Sequence, residues 1–334
     1  MNNIQIEARR SEFKRNDSLE SLLTEVNHLM NIAEKTLLDD QTTAYPIVFI
    51  VGPHRSGSTL ITQWLANSGL VAYPTNLMSR FYKAPIIGAK IQLLLTDERY
   101  NYRNEIRDFN SSIDFYSENG KTKGALAPNE FWYFWRRFLP FEEIDYLSDD
   151  ELFEKVDIKT LLAEFAGLTD VFQKPFALKA MILNYNIPFL NKIFDKAIFI
   201  YTKRDPLTNI ESALKAREKQ YGTINQWYSF KIPEYNQLKD MNPYAQVAGQ
   251  IFYINKAVEK GLQNVPEHKK LVVEYEEFCE NPKKFYDQIV GMLKSYGCVI
   301  ERAYEGDEKF NVTRKSVQDE NILKSYNFFS KMDN

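Results

Sequence analysis

The 334-residue chain has two cysteines, Cys279 and Cys298, and three histidines, His28, His54 and His268. Two isolated cysteines build no disulfide framework, and without a Cys-x-x-Cys pair they form no zinc knuckle. Charge of one sign is not in excess either. The 42 Lys+Arg against 45 Asp+Glu leave a net −3, so bulk electrostatics select neither nucleic acid nor an anionic membrane as partner. No apolar run approaches the length of a membrane span; Pro46–Val51 is among the longest. The first twenty residues, MNNIQIEARRSEFKRNDSLE, are polar and lack the apolar centre of a signal peptide. A cytoplasmic location is the expectation, and unpaired cysteines suit a reducing compartment. What the chain does have is apolar content, 44%, enough for a sizeable core and too much for disorder.

Periodicity organises the rest. Leu19, Leu22, Leu23, Val26, Leu29 and Met30 fall at helical spacing within residues 18–38, with Ser18 as cap, so residues 1–44 read as an N-terminal helical extension. PIVFIV (46–51) is an uninterrupted run of the kind buried on both faces of a parallel sheet. A polar glycine loop, GPHRSGST, follows it. Then comes a segment with Leu60, Ile61, Trp64 and Leu65 on one helical face, which Gly69 stops. FALKAM (176–181), AIFIYT (197–202) and LVVEY (271–275) read as further strands, and Asn281-Pro282 opens another helix. Strands alternating with helices predict one α/β domain over residues 45–334, a P-loop-like parallel sheet flanked by helices. Residues 75–175 break the pattern. Charged, aromatic and helical in character, they read as a large helical insertion over the strand ends.

The loop carries the chemistry. Gly52 to Thr59 nearly satisfies G-x-x-x-x-G-K-[ST], whose backbone N–H groups cradle an anion at a helix start. Ser58 stands where the lysine belongs, and a cation appears three residues earlier as Arg55. Loss of that lysine weakens a P-loop kinase or NTPase reading, for which Asp205 would be the strand-end magnesium ligand. A cation at a helix start is disfavoured unless an anion is bound there. An ordinary strand-to-helix turn is the plain alternative.

Here the chain resembles the sulfotransferase superfamily, whose members use 3′-phosphoadenosine-5′-phosphosulfate (PAPS). Its first signature, P-x-[KR]-[ST]-G-[ST]-[ST] between strand and helix, is matched by PHRSGST. Its second, a strand-end Arg with a Ser eight residues on, is matched by Arg204 and Ser212. LVVEYEEFCENP is similar to the family's late strand and proline-started helix. The resemblance implies that Arg55, Ser56, Gly57, Ser58 and Thr59 hold the 5′-phosphosulfate, and Arg204 and Ser212 the 3′-phosphate. By the same resemblance Tyr275 lies against the adenine and Arg314 covers the site from a C-terminal loop. Lys174 and Lys179 would flank the leaving phosphate. No metal is implied, because arginines and amides carry the electrostatics. The acceptor would be a hydroxyl or amine of a small molecule, lipid or saccharide, its pocket built by the 75–175 insertion; a homo-oligomer is left open. A catalytically silent nucleotide-binding member stays as an alternative.

A general base is needed as well. The histidine common in this family after the first helix is missing, since no histidine lies between residues 60 and 175. Glu130, in LAPNEFWYFW, is the candidate, with its pKa raised by apolar neighbours. The competing reading makes it a helix-start glutamate with Asn129 as cap. Asp114 and Glu118 are the next carboxylates in order. The aromatic run Phe131–Trp135 suits stacking on a sugar or lining an apolar acceptor pocket, and half of it is expected in the core.

Overall fold

Five consecutive apolar residues, Ile47–Val51, form β1, and all five are buried. Their alternation sends Ile47, Phe49 and Val51 into one hydrophobic core and Val48 and Ile50 into another, as a strand covered on both faces requires. These relations come from a computed structural model, which describes residues 8–38, 42–103, 105–106, 117–118, 121–312 and 317–332. A small antiparallel pair, β2 (Ser117–Glu118) and β3 (Lys121–Thr122), precedes the remaining strands. These are β4 (Phe176–Lys179), β5 (Ala197–Lys203) and β6 (Lys270–Glu274). The main sheet is parallel in the order β4-β1-β5-β6. Ile47 pairs with both Phe176 and Ala197, and Val51 with Tyr201. The carboxyl ends of the strands therefore finish together. In open α/β sheets that edge is where ligands bind.

The strands match expectation with shifted ends. FALKAM stops as a strand at Lys179, and Met181–Leu183 is already a 3₁₀ turn. Tyr275 is not the end of β6; it opens the helix Tyr275–Glu280. Gly69, at φ +71°, closes the helix Ser58–Ser68, and Asn281 caps Pro282–Ser295 through Lys284 N–H. The 75–175 segment contains the helices Pro85–Thr96, Trp132–Phe138, Asp149–Lys155 and Ile158–Phe172, but also the β2–β3 pair. Within the aromatic run, Phe131, Phe134 and Trp135 are buried, while Tyr133 is exposed.

The N-terminal helix is Asp17–Glu34. Its cap is Asn16, which accepts from Leu19 N–H at 3.0 Å; Ser18 lies inside the first turn. Asn27, fully buried, donates to Arg80 O and accepts from Lys83 N–H. Glu34, also buried, accepts from the N–H groups of Ile86 (2.7 Å) and Ile87 (3.0 Å). It thus caps Pro85–Thr96 from 52 residues away. Burial raises its pKa, with those amides, Arg137 and Lys90 pulling the other way.

Candidate active site

The loop between β1 and the helix Ser58–Ser68 is built on unusual backbone angles. Gly52 has φ +131°, and a Cβ there would sit 2.5 Å from Thr202 O. Asn184 clamps it from both sides, donating to Gly52 O and accepting from Gly52 N–H. Ser56 is hydrogen-bonded to Thr202 at 2.7 Å, and Asn209 donates to His54 O at 2.9 Å. Gly57 has φ +94°, and a Cβ there would fall 2.0 Å from the Tyr275 ring. Arg55 adopts φ +64° without being glycine. A side chain in that region costs roughly 1–2 kcal/mol, the kind of strain that gathers at functional sites.

The result is an open anion cradle. Among the described residues, none accepts from the amide N–H groups of Ser56 to Leu60. Arg55 Nε donates to Ser212 Oγ at 3.3 Å. Arg204 Nη1 donates to Arg55 O at 3.0 Å, its guanidinium lies 4.7 Å over the Tyr275 ring, and its Nε is 3.9 Å from Glu276. Two loop hydroxyls are committed to the fold, Ser56 to Thr202 and Ser58 to Met181 Sδ. The free donors are therefore amides and arginine, not serine hydroxyls. Burial, then Arg55 and Arg217, push the His54 imidazole down to about 3, so it is neutral; its ring stands edge-on to Tyr228.

On the other side of the loop, Lys179 at the end of β4 donates to Thr59 Oγ1 (2.8 Å) and to Glu130 Oε1 (2.9 Å). Trp132 Nε1 donates to the second Glu130 oxygen. Trp132, Trp135, Met181 and Ile182 join Glu130 and Lys179 around a narrow recess too tight to admit a water. A larger cavity of about 370 Å³, lined by Trp64, Tyr286 and Tyr304, lies at the far end of the helix and shares no residue with the loop.

Several expectations need correction. Glu130 does not have a raised pKa. Burial pushes it up, but Lys179, the Trp132 N–H and Arg55 outweigh that and hold it below the usual carboxylate range. Nor does it begin a helix: Phe131, at φ +58°, is the N-cap position, and Asn129 accepts from Phe131 N–H. Lys174 reaches Gly69 O, at the opposite end of the helix from the loop. Asp205 caps its own helix, its Oδ1 accepting from Thr208 N–H and Oγ1. Arg314, Asp114 and the Glu118 side chain lie outside the described residues.

Sequence reasoning missed Asn184, Thr202, Asn209 and the Lys179–Glu130 pair, and it placed Trp132 only within the aromatic run Phe131–Trp135. Only Lys179 carried a local signal, its place at a strand end. Asn184, Thr202, Asn209 and the Lys179–Glu130 pair work across 49 to 155 residues of chain.

The profile of the sulfotransferase family matches residues 46–295. The chain belongs to this family. Sulfotransferase STF9 from Mycobacterium avium has a similar fold, with TM-score 0.50 and 13% identity over 92% of this chain and 73% of that one. The sulfotransferase domain of the Synechococcus PCC 7002 olefin synthase aligns at TM-score 0.43 and 18% identity, over 88% and 97% of the two chains. No curated protein matches the sequence. In this sulfotransferase, then, the glycine loop, the strand-end arginine and the helix serine of two distant signatures meet at one point. No described helix is long and apolar enough to cross a membrane. Among the described residues no cluster of three or more His, Cys, Asp or Glu is arranged to hold a metal ion.

Proposed function

We propose that this sulfotransferase takes PAPS as donor and sulfates a hydroxyl or amine of a small molecule, lipid or saccharide. One observation carries the reading: Arg55, Ser212 and Arg204 converge on a loop in which the amide N–H groups of Ser56 to Leu60 have no acceptor among the described residues. The residues fit a phosphosulfate, since uncompensated donors at a helix start favour an anion. When bound, PAPS would supply the sulfuryl group. Arg55 and the loop amides would hold the charge that grows as transfer proceeds, and fixed donors of this kind are typically the largest single contribution. Arg204 and Ser212 would take the 3′-phosphate, and Tyr275, packed on Gly57, would border the adenine. Glu130, at the edge of the recess and 32% exposed, would accept the acceptor's proton.

Recognition of the 3′-phosphate gives the direct test. By calorimetry, 3′,5′-adenosine bisphosphate (PAP) should bind at least tenfold tighter than 5′-AMP, about 1.4 kcal/mol. Arg204→Ala should erase most of that gap. Equal affinity of the wild type for both nucleotides would overturn the donor assignment.

A further inference from the structure

Lys179 belongs to both halves of the site. It is 5% exposed, its backbone carbonyl is fixed by Trp135 Nε1 at 2.9 Å, and its ammonium spans Thr59 of the loop and Glu130 of the recess. The opposite oxygen of Glu130 is taken by Trp132. Lys179, Arg55 and the Tyr228 phenol are the titratable groups that face the carboxylate. A carboxylate held this way is charged but poorly basic, because protonating it means giving up an ion pair. The same ammonium is the cation nearest Thr59 Oγ1, where an anion in the loop would end. It cannot serve both partners fully.

We infer that Lys179 is a positioning residue that reports occupancy of the loop to Glu130. With the loop empty, Lys179 holds Glu130 as an ion pair. With a phosphosulfate in the loop, Lys179 turns toward it, and Glu130 is released to take a proton from the acceptor. Donor binding thereby precedes and enables base action. The inference rests on the PAPS reading above, with Glu130 as base.

Competition for one ammonium has a measurable sign. Protonating Glu130 frees Lys179, so PAPS affinity should rise as pH falls through the Glu130 titration. By linkage, PAPS binding should take up a proton in that range. The experiment titrates the full chain with PAPS, without acceptor, at about pH 4, where Glu130 titrates, and at about pH 7, where it is ionised. Two buffers of different ionisation enthalpy are used, so that proton uptake is read directly. Glu130→Gln supplies the baseline, which removes the donor's own phosphate titration.

Wild type should take up more protons at the lower pH than Glu130→Gln. At pH 7, Glu130→Gln should bind PAPS about fivefold tighter than wild type, the lower end of coupling between linked sites. The excess uptake should vanish in Lys179→Met and return in Lys179→Arg. PAPS should also change the Trp132 emission, a signal absent from Trp132→Phe. Equal uptake and equal affinity in wild type and Glu130→Gln, with PAPS bound by both, would overturn the interlock and leave the donor assignment standing. Failure of wild type to bind PAPS or PAP would overturn the donor assignment itself. Should Lys179→Met fail to fold, the near-isosteric Glu130→Gln comparison still decides.

Discussion

Glu130→Gln is expected to lower kcat by roughly 10²–10⁴-fold, the usual range for losing a general base. Gln preserves the shape and can still accept from Trp132 and Lys179, so PAP binding should persist while turnover fails. The pH profile separates this loss from general damage. Glu130 is held below its ordinary value of 4.5 by Lys179, Trp132 and Arg55 against the upward push of burial. The carboxylate is therefore ionised at neutral pH, and activity should fall only as acid protonates it. In kcat/KM, which reports the free protein, that limb should lie below pH 4.5 and be missing from Glu130→Gln. A screen of hydroxyl and amine acceptors with labelled sulfate has to come first. Turnover by Glu130→Gln within threefold of wild type (about 0.7 kcal/mol) would move the base elsewhere.

Arg55→Gly should separate stability from activity. Removing one preorganised donor typically costs about 10²–10³ in kcat, or about 3–4 kcal/mol, and Arg55 also orders Ser212. Glycine, however, adopts φ near +64° freely, whereas arginine there is strained. The variant should thus melt no lower than wild type although it loses the Ser212 hydrogen bond. Arg55→Ala should lose the same activity and keep the strain, so it should melt below Arg55→Gly. If both variants melt equally low, Arg55 is a structural residue and its angle stores nothing.

Much of this arrangement was legible before any coordinates, for identifiable reasons. β1 and β5 are buried on both faces, so hydrophobicity alone marks them, and glycine and proline mark where the next element starts. The loop could be read because its requirements are local: Gly57 turns the chain at φ +94°, a backbone angle that favours glycine. Helix caps were less secure, as Asn16 and Ser18 offer nearly the same chemistry two residues apart. Glu130 was found for a reason that proved incomplete. Its apolar neighbours in sequence suggested a raised pKa, but the partner that reverses the shift, Lys179, lies 49 residues away. Pairings of that kind have no periodicity to betray them.

The carboxylate of Glu34, seated on the amides of Ile86 and Ile87, bears on how the chain is born. Synthesis runs from the N-terminus, so the capping residue leaves the ribosome before the helix it caps. As Pro85–Thr96 emerges, Asn27 and Glu34 are already waiting for it, and this corner can close with no contribution from the sheet. β1 has no such help. Its neighbours β4 and β5 begin at Phe176 and Ala197, so an apolar strand and its glycine loop stay unpaired until more than a hundred further residues have been made. In that interval the nascent chain exposes PIVFIV, the kind of apolar strand edge that chaperones cover.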